Sequence, residues 1–197
     1  SYIALGELLE ADQRQQYMYK VQQRSLNNAE SLTLALLQQA QWQRSAYDLG
    51  VGEQPYSRLV KMWDLYRGAL SQISAREGEH SVKLLSPLNG LLQTQYLISS
   101  HQISDGASSG SSNSTFSAQQ DLNRFNGYRA RSYKQGHAVI RAIYDIENAQ
   151  TDDQHLAAAE AMVMLGDWNL WHGAKEPAAE AYNSALLELV ELENGDE

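Results

Sequence analysis

Leu165-Gly166-Asp167-Trp168, followed by Gly173, Ala178, Tyr182 and Ala185, is the stretch from which the fold can be read. These spacings are what two short antiparallel helices need to pack closely. A small residue at Gly166 lets the first helix approach its partner, Ala178 offers a matching small surface on the second, and Tyr182 fills the space beyond. Gly173 supplies the turn between them. The reading predicts a helix over 155–171 and another over 177–192, locked as one hairpin.

Working outward, helical stripes recur along the chain. Leu9, Ala11, Tyr17, Met18 and Val21 mark a helix from about Leu8 to Arg24, stopped at Asn27-Asn28. Leu32, Leu36, Leu37, Ala40, Trp42, Ala46 and Tyr47 mark a second, over 29–49, ending at the Gly50-Val51-Gly52 turn. Pro55 then opens a third, where Leu59, Met62, Trp63, Tyr66, Ala69, Leu70 and Ile73 keep helical spacing to about Arg76. We expect the second and third to pair, with Tyr66 and Ala69 placed like Tyr182 and Ala185.

After a break at Gly78-Glu79-His80, Leu84, Leu85, Leu88, Leu91, Leu92, Tyr96 and Ile98 form a strongly apolar helix. Pro87 either bends this helix or sits in its first position behind a Ser86 cap. Residues 101–117 are Ser- and Gly-rich, too poor in apolar surface to offset their ordering entropy, and read as a flexible insert. Ser117 with Gln120 then looks like a capping box for helix through Ala149, divided at Gly127 or Gly136. Thr151 with Gln154 is a similar cap for the helix that opens at His155.

The hairpin from Ala159 to Leu192 resembles a tetratricopeptide repeat through Leu165, Gly166, Ala178, Tyr182 and Ala185, although Met162 stands where that family commonly has an aromatic residue. Leu88-Asn89-Gly90-Leu91-Leu92 followed by Tyr96 looks like a first helix of the variety found in kinesin light chains. The resemblance implies an all-α fold of about seven helices, its hairpins stacked into a right-handed superhelix over 1–197. The pairs over 29–76 and around the Ser-rich insert are longer than the 34-residue norm. Tyr2, Gly6, Ala11 and Met18 match the middle and second half of a repeat, so we expect a fragment whose natural protein extends further toward the N-terminus, with any signal peptide absent or already removed. Similar irregular-repeat proteins occur in Gram-negative bacteria, several of them exported, which implies the periplasm rather than the cytoplasm.

Composition narrows the function classes. The net charge of -9 argues against nucleic acid, which is bound through clusters of Lys and Arg. Five acids and no base lie in the last ten residues, so without them 19 acids face 15 bases, a net of -4; 193–197 reads as an acidic tail. No apolar stretch reaches the roughly 18 residues of a membrane span, and the absence of cysteine removes disulfides and thiolate metal sites.

Candidates for chemistry each meet an objection. Gly106 to Gly110 matches a nucleophile elbow in letters but lacks the strand before the serine and the helix after it. Asn113-Ser114-Thr115 is a glycosylation acceptor in form only, in a chain that reads as bacterial. Glu77, Glu79, His80, His155 and His172 lack metal-pair spacing, and Glu79 and His80 point about 100° apart on a helix. His137 reads as a packed histidine. The expectation is therefore no catalytic residue, no metal and no cofactor.

The aromatic residues Trp42, Trp63, Trp168, Tyr17, Tyr66, Tyr144 and Tyr182 read as core. Trp171 reads either as a groove residue or as cover for a neighbouring repeat. In the repeat family the first helix of each hairpin lines an inner, concave surface. The resemblance places Val163, Asp167, Leu170 and Trp171 there, and a weaker alignment through Ala40 adds Leu37, Gln41 and Arg44. Such a groove suits a peptide or helix of a protein partner, whose aromatic and charged contacts set affinity and register. Self-association into a homo-oligomer is the rival expectation.

Overall fold

The computed structural model describes the backbone of residues 10–17, 19–20, 29–51, 54–108, 115–150 and 155–195, and side chains over the same span apart from 29, 101–108, 115–129, 155 and 191–195. Among the described residues there are seven helices and no strand, so the chain is all-α. They are α1 (residues 10–17 and 19–20), α2 (Ala29–Asp48), α3 (Pro55–Glu77), α4 (Leu85–Ser108), α5 (Thr115–Asn148), α6 (His155–Trp171) and α7 (Lys175–Gly195), with a 3-10 turn over Val82–Leu84 ahead of α4. No helix is long and apolar enough to cross a membrane among these residues. The sequence reading treats 1–197 as one helical domain; within it the backbone gathers into two compact units, Ser1–Thr94 and Gln95–Glu197.

Punctuation residues set the helix ends. Gly50 takes φ +64, and its N–H reaches the Tyr47 carbonyl while the Val51 N–H reaches that of Ala46, which closes α2 in a Schellman motif. Gly173, at φ +80, closes α6 in the same way, with Gly173 bonded to Leu170 and Ala174 to Asn169. Pro55 occupies the first turn of α3, where its missing N–H leaves nothing unsatisfied.

Several boundaries differ from those read in the sequence. The Ser81 side chain caps the 3-10 turn and α4 starts at Leu85, so Pro87 is its third residue, still inside the first turn. Helix continues through 101–108 and resumes at Thr115; of the stretch read as a flexible insert, 109–114 lie outside the described residues. Ser117 falls within α5 rather than at its cap, and α5 runs unbroken through Gly127 and Gly136. The Thr151–Gln154 cap, the Asn27-Asn28 stop and the N-terminal repeat matches at Tyr2, Gly6 and Met18 lie outside the described residues. The acidic tail read at 193–197 begins inside α7, with 196–197 undescribed.

Unit 1 is organised around a buried ion pair. Arg58, 1% exposed, donates from Nη2 to Asp12 Oδ2 at 2.7 Å, from Nη1 to Gln43 Oε1 at 2.6 Å, and from Nε and Nη2 to the Val51 carbonyl at 3.0 and 2.6 Å. Asp12 also accepts from the Trp42 indole at 2.9 Å and from Gln16 at 3.1 Å. One guanidinium thereby ties α1, α2, α3 and the α2–α3 turn. Burial works to raise the Asp12 pKa, but hydrogen bonds from Arg58 and Trp42, the Arg58 charge and the Gln16 bond outweigh it and hold the carboxyl below its ordinary 3.8.

A folded pKa below the unfolded one means stabilisation that is complete above pH 3.8 and fades as pH falls toward the folded value. Denaturation midpoints followed by circular dichroism should therefore fall as pH drops from about 4 toward the folded value. Asp12→Asn should flatten that slope while lowering stability at pH 7. An equally steep acid slope in the variant would contradict the assignment.

In unit 2, α6 and α7 form the expected hairpin, and Ala178, Ala181 and Ala185 are buried on α7. The fit differs in detail, because the Tyr182 ring itself lies against Gly166, where a Cβ would stand. Gly136 plays the same part for another ring, that of Trp168, which is fully buried and donates from Nε1 to the Tyr133 carbonyl at 3.0 Å. A glycine read as a possible break is thus the seat by which α6 packs against α5. Tyr66 departs from its expected analogy with Tyr182: its ring faces Gly90 on the following helix, and Gly68 on α3 meets Leu36 of α2 instead. Tyr17, expected in the core, is 68% exposed.

Candidate functional site

The α6 surface opposite its buried face presents Val163, Asp167, Leu170 and Trp171, all exposed and spaced i, i+4, i+7 and i+8, which places them on one side of a helix. Behind them Ala158, Ala161, Met162, Leu165 and Trp168 are buried, so the face rides on a packed element. Trp171 keeps 47% of its surface exposed while its indole meets Tyr96 edge-on, with ring centroids 5.8 Å apart. It therefore both covers a neighbouring ring and offers a free aromatic surface. Tyr96 also stands edge-on to Trp168 at 4.7 Å, which fixes the base of the patch.

Asp167 is engaged within the molecule. The Tyr182 hydroxyl donates to its Oδ1 at 2.7 Å, a bond that raises the Tyr182 pKa, and burial together with the Asp167 charge raises that of Tyr96. One carboxylate oxygen is thus committed to α7. The patch offers two aliphatic side chains, an indole edge and a half-used carboxylate within two helical turns.

Beside it lie further rings that the sequence reading did not connect. His172 packs on Trp168 at 4.5 Å and on Tyr133 at 5.4 Å, and the Tyr133 hydroxyl donates to Asn169 Oδ1 at 2.8 Å. His137, half-buried against Tyr133, has its pKa pushed below the ordinary value by burial and by the Arg141 charge. A 3.6-residue period reveals none of this, because Tyr133 and His172 are 39 positions apart.

In unit 1 the other predicted residues, Leu37, Gln41 and Arg44, share one side of α2 at i, i+4 and i+7 spacing, with Gln41 exposed and the other two half-buried. Arg44 is held by Asp48 in an ion pair at 2.9 Å. Sequence reasoning missed the Arg58–Asp12 pair altogether. Its partners stand 46 positions apart, beyond the reach of helical periodicity.

Comparison with protein-family models, with curated proteins and with solved structures yields no match.

Proposed function

We propose that this chain is a non-catalytic protein-interaction scaffold that binds a peptide or helix of a partner on the α6 face. The observation that carries this reading is the joint exposure of Val163, Leu170 and Trp171 around Asp167 on a helix whose other side is buried. Rigid aromatic and aliphatic anchors beside one acceptor are what an extended or helical peptide uses for affinity and register. The tetratricopeptide-like reading, in which right-handed stacks of hairpins present their first helices to a partner, belongs to the same proposal. So do the α2 face with Leu37, Gln41 and Arg44, and a periplasmic location.

Selection from a displayed random-peptide library provides the test. Peptides recovered on the protein should bind Trp171→Ala at least about tenfold more weakly, the loss expected of a truncated aromatic anchor, and Arg44→Ala should weaken peptides that engage α2. Unchanged binding by both folded variants would reject these faces as the binding surface.

One observation favours a second reading, a self-association module. Leu186, Leu187, Leu189 and Val190 are exposed together on α7. Sedimentation as a monomer across a wide concentration range would exclude it.

A further inference from the structure

The exposed face of α6 has a period as well as a chemistry. Leu156, Val163 and Leu170 are exposed and recur every seven residues, and the exposed carboxylates Glu160 and Asp167 each follow one of them by four. Helices laid side by side meet at that interval, so the stripe suits a helical occupant. No lysine or arginine lies on α6, nor on α4, which contributes Tyr96. Among the described residues neither Glu160 nor Asp167 has an ion-pair partner. The nearest base along the chain, Lys175, comes after the Gly173 turn. Asp167 lies one helical turn before Trp171, keeps an oxygen beyond its bond to Tyr182, and acts through its charge on Tyr96. The rings of Trp171 and Tyr96 meet at 80°. A corner of two π-systems beside a carboxylate is a setting that holds a guanidinium by charge on one side and by rings on the other.

We infer, on the reading of α6 as the binding surface, that its occupant is a basic amphipathic helix of a partner protein. One arginine sits between Asp167 and the rings of Trp171 and Tyr96, a second cationic residue faces Glu160, and aliphatic side chains lie on Leu156, Val163 and Leu170. Glu160 and Asp167 stand about 10 Å apart along the helix axis, which in a helical partner is again seven residues. An acidic helix would set its carboxylates against Glu160 and Asp167 with no base on α4 or α6 to receive them.

Fluorescence anisotropy with three synthetic helical peptides, each of three heptads, tests it. All carry leucine at the first position of the heptad, with alanine and glutamine elsewhere, and the fifth position is arginine, glutamine or glutamate. The arginine peptide should bind saturably. The glutamine peptide should bind about tenfold more weakly, as loss of two exposed ion pairs and a cation–π contact requires, and the glutamate peptide more weakly still. Glu160→Gln combined with Asp167→Asn, which keeps an oxygen for the Tyr182 hydroxyl, should bring the arginine peptide down to the level of the glutamine one. Asp145→Asn, exposed on α5, should leave its affinity unchanged. Equal binding of the arginine and glutamine peptides, or full affinity in the folded double variant, would overturn the basic occupant. Library peptides lost on Trp171→Ala would then still mark α6 as the binding surface. No saturable binding of the arginine peptide, or self-association of the wild-type protein that the double variant abolishes, would overturn it as well.

Discussion

Replacing Arg58 by methionine is expected to cost about 3–5 kcal/mol of folding free energy, a large share of the roughly 5–15 kcal/mol that holds an ordinary domain folded. Methionine occupies much of the space but leaves the Asp12 carboxylate, whose side chain is 5% exposed, with Trp42 and Gln16 as its remaining partners. It also strips the Val51 carbonyl of both guanidinium bonds and Gln43 of its donor. The penalty comes from the stranded charge more than from the lost attraction, since pairing two buried charges gains little over apolar packing. Arg58→Met combined with Asp12→Leu should therefore recover much of what the single change loses. Urea denaturation of the two single variants and the double variant measures this directly; additive losses would show that the pair is not coupled.

Trp168→Ala is expected to cost about 3–5 kcal/mol, as removal of a fully buried indole does. The ring is fixed on three sides: by Gly136 beneath it, by its Nε1 bond to the Tyr133 carbonyl and by the edge of Tyr96. The converse change at the same contact, Gly136→Ala, places a methyl where ring carbons already lie. Alanine is the better helix former by about 1 kcal/mol, yet overpacking against a ring that cannot retreat costs about 1–3 kcal/mol, so a net loss is expected. With the indole gone, the Gly136→Ala methyl fills part of the cavity and the sign should reverse. A double-mutant cycle should thus show strong favourable coupling between the two positions. Simple additivity would mean that ring and glycine do not meet.

What could be read in the sequence and what could not divide along a physical line. Helix ends were legible because Gly50, Gly78, Gly173 and Pro55 act through their own backbone: three positive φ angles and a first-turn proline need no distant partner. The buried stripes were legible for the same reason, since the periodicity of α3 or α6 is local. Gly136 was not. A glycine in a helical stretch can end the helix or receive a ring, and which it does depends on Trp168, 32 positions away. Tyr66 followed the sequence pattern of Tyr182 yet settled on Gly90, because the nearest small surface for its ring lies on the next helix.

The ion pair of Arg58 and Asp12 and the polar cluster in which Ser132 receives Gln95 Nε2 at 2.8 Å and meets Ser99 arise from long-range packing, which single-helix periodicity does not encode. At the α6 patch, the family resemblance set Val163, Asp167, Leu170 and Trp171 together, and their spacing along α6 puts them on one face. It did not reveal the bond that commits Asp167 to Tyr182, a partner 15 residues on.

The two faces named for binding differ in what they have left to offer. On α2 the Arg44 guanidinium is already engaged by Asp48, an exposed i,i+4 pair of the kind worth only a few tenths of a kcal/mol, so a partner carboxylate can displace it at little cost. On α6 the exposed indole and aliphatic side chains carry no such competitor.

Amide chemical-shift mapping with a peptide selected from the displayed library tests most directly whether the α6 face receives a partner segment. Titration of the peptide should perturb Val163, Asp167, Leu170, Trp171 and the neighbouring Tyr96, and Trp171→Ala should abolish those shifts while the fold persists. Perturbations confined to Leu186, Leu187 and Val190 on α7 would contradict it.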